Sequence, residues 1–167
     1  MFVLTFYFFY YIFHSRFFHS ILIETITMSA TVVIMRGKPG AGKSRYVKEV
    51  FPGAFVCCPD DFFMKDGVFC YDPTRLQDAH SHNFRKFLSV LLAGRDLVVC
   101  DATNTSLWEV SPYRLAALSY GYRVRIIRIE CDDETAFRRN IHGVPRQYYD
   151  RIRIQNCPAY WKEEIIG

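Results

Sequence analysis

The stretch Gly37-Lys38-Pro39-Gly40-Ala41-Gly42-Lys43-Ser44 fits the pattern G-x-x-x-x-G-K-[ST] at every specified position. A loop of this kind wraps a phosphate so closely that several backbone N–H groups point inward, and glycine leaves room for that approach. Lys43 is then the mobile cation for the β- and γ-phosphates of ATP, and the Ser44 hydroxyl a ligand for Mg²⁺. Gly37, Pro39, Gly40, Ala41, Gly42, Lys43 and Ser44 form the expected nucleotide cradle, aided by the positive end of the helix that starts there. A glycine-rich turn alone can match such a pattern by chance. The flanks decide: the β-branched run Thr31-Val32-Val33-Ile34-Met35, closed by Arg36, reads as a strand, and Ser44 to Phe51 as an amphipathic helix.

Outward from the loop, strand, loop and helix recur. Pro52-Gly53 stops the first helix, and Ala54 to Cys58 is a short second strand running into Pro59-Asp60-Asp61. Phe62 to Tyr71 has no clear period and reads as a loop. Asp72-Pro73 is a helix start, Leu76, Ala79, Phe84, Phe87, Leu88 and Leu91 mark a helical face, and Gly94 ends it. Asp96 to Cys100 is a third strand, ending at Asp101. Ser106 and Glu109 form a candidate capping box for a helix reaching Ser119, with Pro112 either kinking that helix or marking its true beginning. Tyr122 to Cys131 is a fourth strand, and Asp133 to Asn140 and Pro145 to Gln155 read as helices. This alternation predicts an α/β chain: a P-loop NTPase, nucleotide-kinase-like, three-layer fold with a mainly parallel sheet.

Length and composition agree with one folded domain, assigned to residues 28–167. Half of the 167 residues are hydrophobic and the net charge is +4, which excludes a wholly disordered chain. The six cysteines, Cys57, Cys58, Cys70, Cys100, Cys131 and Cys157, show no zinc-ligand spacing and read as reduced core residues of a cytoplasmic protein. Residues 1–27 differ from the rest, being rich in Phe, Tyr and Ile but broken by His14, Arg16 and His19. The unbroken part is shorter than the ~20 residues of a membrane span and lacks a secretory n-region. An upstream start ahead of Met28 is the favoured reading, with an aromatic extension or an N-terminal anchor as the alternatives.

In parallel α/β sheets ligands bind outside the carboxyl ends of the strands. Those ends carry the phosphate loop, then Asp60 and Asp61, then Asp101 with Thr103 and Asn104. Phosphoryl transfer needs positioning, charge neutralisation and a base to orient the acceptor hydroxyl. Asp60 is the candidate base, and Asp101 the candidate holder of Mg²⁺ or its water shell. Arg138 and Arg139 precede a glycine-containing break, so Arg139 is the candidate lid cation for the transferring group; a surface ion pair with Asp132, Asp133 or Glu134 is the plain alternative. His80, His82 and His142 lack a paired ligand spacing and read as peripheral.

The serial order of several short pieces adds a resemblance. Arg36 to Ser44, Asp60-Asp61-Phe62-Phe63, Ala79-His80, Asp101-Ala102-Thr103-Asn104, Pro112-Tyr113, Gly121-Tyr122 and Arg139-Asn140-Ile141-His142-Gly143-Val144-Pro145 resemble the P-loop domain of Nedd-four-binding protein 2-like proteins, over residues 30 to 155. That domain is similar in turn to the kinase half of bacteriophage polynucleotide kinase. The resemblance implies an ATP-dependent kinase, with 5′-hydroxyl nucleic-acid ends as the best-known acceptors of the wider group and Asp60 as general base. The phage pattern has an acceptor-holding arginine three positions beyond that Asp, where this chain has Phe63. Three functions stay open at this point: a kinase for a nucleotide or nucleic-acid hydroxyl, a small-metabolite kinase, and an ATP-binding interaction module without transferase activity. No protein partner is indicated, and a membrane is not expected.

Overall fold

The computed structural model describes residues 30–140 and 143–167; the expectations for residues 1–27 and His142 lie outside them. Strand β1 (Thr31–Arg36) is the central strand of a five-stranded, all-parallel sheet ordered β2-β5-β1-β6-β7. Its partners are β5 (Leu97–Cys100) and β6 (Arg123–Ile129), flanked in turn by β2 (Phe55–Cys57) and β7 (Glu164–Ile166). A strand covered on both faces reads as a continuous apolar run, which is why Val32 to Met35 are all β-branched or unbranched hydrophobes with no exposed surface.

Side chains alternate across the sheet, so β1 feeds two cores. Val32 and Ile34 pack with Phe87, Val90 and Leu91 of α2 (Leu76–Leu92) and Val110 and Ala117 of α3 (Leu107–Ser119). Val33 and Met35 pack on the other face with Val47 of α1 (Lys43–Val50) and Phe51. Helices on both faces of a parallel sheet make the three-layer P-loop architecture that the alternating pattern predicts.

Several local readings hold with reasons in the geometry. Asp72 accepts a bond from the Thr74 amide at 2.9 Å and opens the turn that leads into α2. Glu109 accepts bonds from the Ser106 amide at 2.8 Å and its hydroxyl at 2.7 Å, so the capping box starts α3 at Leu107, and Pro112 lies inside the helix on an exposed face.

Others are corrected. The expected loop Phe62 to Tyr71 begins inside a 3₁₀ turn (Pro59–Phe63) and continues as a small hairpin of β3 (Met64–Lys65) and β4 (Val68–Phe69). Asp66-Gly67 turns that hairpin with φ of 49° and 79°, as a two-residue primed turn requires. The helix expected from Pro145 to Gln155 is only α5 (Arg146–Tyr149), and α4 (Asp133–Arg138) precedes it. Strand β7 was not foreseen. Cys57 and Cys100 are buried and adjacent in register, but Cys58, Cys131 and Cys157 are only partly buried and Cys70 is exposed, so Cys70 is not a core residue. Among the described residues no helix is long and apolar enough to cross a membrane.

The C-terminal segment is extended because a buried cation claims it. Arg36 has no exposed surface, and its guanidinium donates to the carbonyls of Asn104 at 2.8 Å, Thr105 at 3.1 Å and Gln155 at 2.8 Å, and pairs with Glu163. One side chain thus joins the end of β1, the loop after β5 and the approach to β7. Losing one partner of a buried ion pair typically costs about 3–5 kcal/mol. Glu163→Gln, which leaves the carbonyl bonds of Arg36 in place, is expected to lose about 3 kcal/mol in urea unfolding.

Candidate functional site

The phosphate loop joins β1 to α1 and closes around its own lysine. Lys43 is buried and donates to the carbonyls of Gly37 and Lys38, each at 3.0 Å. Burial lowers its pKa, while the carboxylates of Asp101 and Asp60 act in the opposite sense. Gly40 has φ of 75°, and a Cβ there would stand 2.0 Å from the Ala136 carbonyl oxygen in α4. Only glycine allows that helix to lie against the loop. Gly40→Ala is expected to destabilise by about 1–3 kcal/mol from the left-handed backbone alone. It should also push α4 off the loop, read as a lowered melting temperature together with weakened nucleotide binding.

Asp101 ends β5 and is nearly buried, its amide donating to the Cys57 carbonyl at 3.0 Å. Burial pushes its carboxyl up; the neighbouring Ser44 hydroxyl and the Lys43 ammonium oppose that shift, and Asp60 and Asp61 add to it. Ser44, Lys43, Asp60 and Asp101 therefore share one electrostatic neighbourhood, as expected from their strand ends. A buried carboxylate beside a hydroxyl is a hard oxygen donor set that suits Mg²⁺, which commonly takes only one or two protein ligands and completes its shell with phosphates and water. Among the described residues no group of three or more His, Cys, Asp or Glu could hold a metal ion by itself.

The two adjacent carboxylates at the end of β2 have different surroundings. Asp61 is exposed and pairs with Lys86 of α2 at 2.8 Å, an ammonium also held by the Val56 carbonyl at 3.1 Å. Asp60, half-buried, acts on Lys43 and Asp101. Asp61 also acts on Asp101, but its carboxylate is paired to α2 through Lys86, whereas the influence of Asp60 reaches Lys43 as well.

Helices α4 and α5 strap the other side of the loop. Lys38 pairs with Asp133 at 2.6 Å and lies over the Tyr149 ring, whose hydroxyl donates to the Pro39 carbonyl at 3.2 Å. Arg146 pairs with Glu134 at 2.6 Å and covers the Phe137 ring. Asp132 caps α4 through the Thr135 amide at 2.9 Å. Of the acids considered as partners for Arg138 and Arg139, Asp133 pairs with Lys38 and Glu134 with Arg146, while Asp132 caps α4 and is acted on by Arg138. Arg139 is exposed, and its backbone carbonyl carbon would lie 3.1 Å from a Cβ on Gly40, so the end of α4 brings its backbone to the loop edge. Sequence reasoning missed Lys38 and Tyr149, whose roles depend on which chain segment folds over the loop.

An open groove of about 820 Å³ borders Lys38 and Ala41 and runs along Arg128 to Asp133, Asp150 and Ile152 to Ile154. It belongs to the β6 and β7 side of the sheet, whereas Asp60 and Asp101 follow β2 and β5. The phosphate loop after β1 thus separates two regions: a groove on one side and a pair of carboxylates on the other.

Comparison with known proteins agrees with this layout. Residues 32–150 match the model of the AAA domain family. A part of NEDD4-binding protein 2 of Homo sapiens is 30% identical over 138 residues, covering 77% of this chain and 8% of the relative, so the chain spans a small part of that protein's length. A putative kinase from Chloroflexus aurantiacus j-10-fl superposes with a TM-score of 0.63 at 15% identity, over 83% of this chain and 85% of that one. The Pnkp1/Rnl/Hen1 complex superposes with a TM-score of 0.55 at 20% identity, over 78% of this chain and 46% of that one. These structural likenesses show the P-loop kinase-like fold.

Proposed function

The chain belongs to the AAA domain family, and from that premise we propose that it is an ATP-dependent phosphotransferase, moving the γ-phosphoryl group to a hydroxyl, with a 5′-hydroxyl of a nucleic acid or nucleotide as acceptor. The observation that carries this reading is the grouping of Lys43, Ser44, Asp60 and Asp101 in one electrostatic neighbourhood beside the phosphate loop, while Asp61 is paired with Lys86. Residues 28–167 are the working unit in this reading, and free cysteines fit a cytoplasmic location.

In the proposed cycle the backbone of Gly37 to Ser44 cradles the phosphates, and the groove along Arg128 to Asp133 takes the nucleoside. Lys43 exchanges the Gly37 and Lys38 carbonyls for β- and γ-phosphate oxygens. Ser44 and Asp101 hold Mg²⁺, which when bound neutralises charge on the transferring group. Asp60 accepts the proton of the acceptor hydroxyl as its oxygen attacks the γ-phosphorus. Arg139 follows α4 toward the same group when the lid tightens.

The test is an acceptor panel with purified full chain, ATP and Mg²⁺, following ADP formation with 5′-hydroxyl DNA, 5′-hydroxyl RNA, nucleosides and pools of small hydroxyl metabolites. Stimulation by nucleic-acid or nucleotide hydroxyls supports the proposal. Stimulation by metabolites alone replaces the acceptor, and nucleotide binding with no stimulated turnover points to an interaction module.

A further inference from the structure

The hairpin beside Asp60 is unusually aromatic for an exposed element. Phe63 is buried at its root, and the Tyr71 ring packs on Phe63 with centroids 5.2 Å apart, so Phe63 serves packing rather than contact with an acceptor phosphate. Tyr71 nevertheless keeps 51% of its surface exposed and lies nearly parallel to Phe69, at 13°. Four positions on, the Arg75 guanidinium lies over the Phe62 ring, 4.6 Å from its centroid, with half of its side chain exposed. Lys65 is exposed on β3 of the same hairpin, opposite Val68. All of these groups hang from the short segment that begins at the Asp60 turn. An exposed ring with cations on the same short segment offers a flat apolar face and positive charge together.

Resting on the phosphotransfer reading, we infer that Tyr71, Arg75 and Lys65 seat the 5′-terminal nucleotide of a single-stranded nucleic-acid acceptor, Tyr71 stacking on its base and the two cations meeting the phosphate that follows. Aromatic faces accept any base, and arginine supports stacking as well as charge, so such a seat grips single strands with little sequence preference. The local charge is nearly balanced: Asp66, Asp72 and Asp78 lie around Lys65 and Arg75, and Arg75 pairs with Asp78 at 3.3 Å. Stacking therefore carries the affinity, and the seat recognises an end rather than a long tract. With the terminal nucleotide held there, its 5′-hydroxyl loses a proton to Asp60, its oxygen bonds to the γ-phosphorus, and the bond to the β–γ bridging oxygen breaks. The products are a 5′-phosphorylated strand and ADP.

The experiment measures binding of a fluorescent single-stranded 5′-hydroxyl hexanucleotide to the full chain by anisotropy, and its KM in the transfer assay, for wild type, Tyr71→Ala, Tyr71→Leu and Tyr71→Phe. Losing one base stack should weaken oligonucleotide binding and raise its KM by about 5- to 160-fold in Tyr71→Ala. ATP affinity and the saturated rate should stay close to wild type, and Tyr71→Phe should restore tight binding. Tyr71→Leu keeps an apolar contact on Phe63 but no flat face, so it separates stacking from folding and should behave like Tyr71→Ala. Two cations at most limit the dependence of log affinity on log salt to a slope of about −1.4. Oligonucleotide affinity unchanged in both Tyr71→Ala and Tyr71→Leu overturns the inference, whatever acceptor the enzyme uses. Tyr71-dependent binding without transfer to any hydroxyl supports the seat and instead overturns the phosphotransfer reading.

Discussion

Lys43→Ala is expected to abolish measurable phosphoryl transfer and to weaken ATP binding. The side chain is the cation inside the phosphate loop, buried and held by the Gly37 and Lys38 carbonyls where the terminal phosphates would lie. A single preorganised electrostatic group is typically worth about 10²–10³ in rate, and this one acts in both binding and transfer, so losses at or beyond the upper end are expected. Folding should survive. Burial already lowers the Lys43 pKa, so its charge is held at a desolvation cost that the variant does not bear. The measurements are nucleotide titration calorimetry, turnover and thermal melting on the same preparation. Unchanged affinity and rate would remove the phosphate-loop assignment; a collapsed melting temperature would assign Lys43 a structural role.

Asp60→Asn should reduce transfer by about 10²- to 10⁴-fold, the usual worth of general-base assistance, with ATP affinity close to wild type. The substitution keeps shape and removes the proton-accepting charge. Asp61→Asn is the internal control. Its carboxylate is exposed and paired with Lys86, so the change should cost less than about 1 kcal/mol of stability and little activity. If the two phenotypes are exchanged, the base is Asp61 and the turn rearranges on binding; if neither variant slows transfer, the base lies elsewhere in the cleft.

How legible each part was in the sequence follows from how local its causes are. The unit of β1, phosphate loop and α1 is written within one short run, so an apolar strand and a fixed motif were enough to read it. The strand-end carboxylates were legible for the same reason, and Asp60 reads as the base from the sequence, but the pairing of Asp61 with Lys86, 25 positions on in α2, is a non-local contact that the sequence does not show. The β3–β4 hairpin carried a signal in Asp66-Gly67, yet two-residue strands show no period to support it. Beyond Tyr149, apolar Ile152 and Ile154 and the arginines around them imitate a helix. The chain is instead drawn out by Arg36, 119 positions from Gln155 and 127 from Glu163. For the same reason Arg36, read only as the charge that closes β1, proved to be the hub of the C-terminal segment, and three-residue β7 was invisible without β6 to receive it.

The most direct single measurement is transfer of label from γ-labelled ATP to a 5′-hydroxyl single strand by the full chain with Mg²⁺, with Asp60→Asn run alongside. A P-loop phosphotransferase built as described should yield a 5′-labelled strand and an equal amount of ADP, with the label lost in Asp60→Asn while nucleotide binding persists. Tight nucleotide binding in both proteins with no labelled strand, nucleoside or metabolite from either would contradict it.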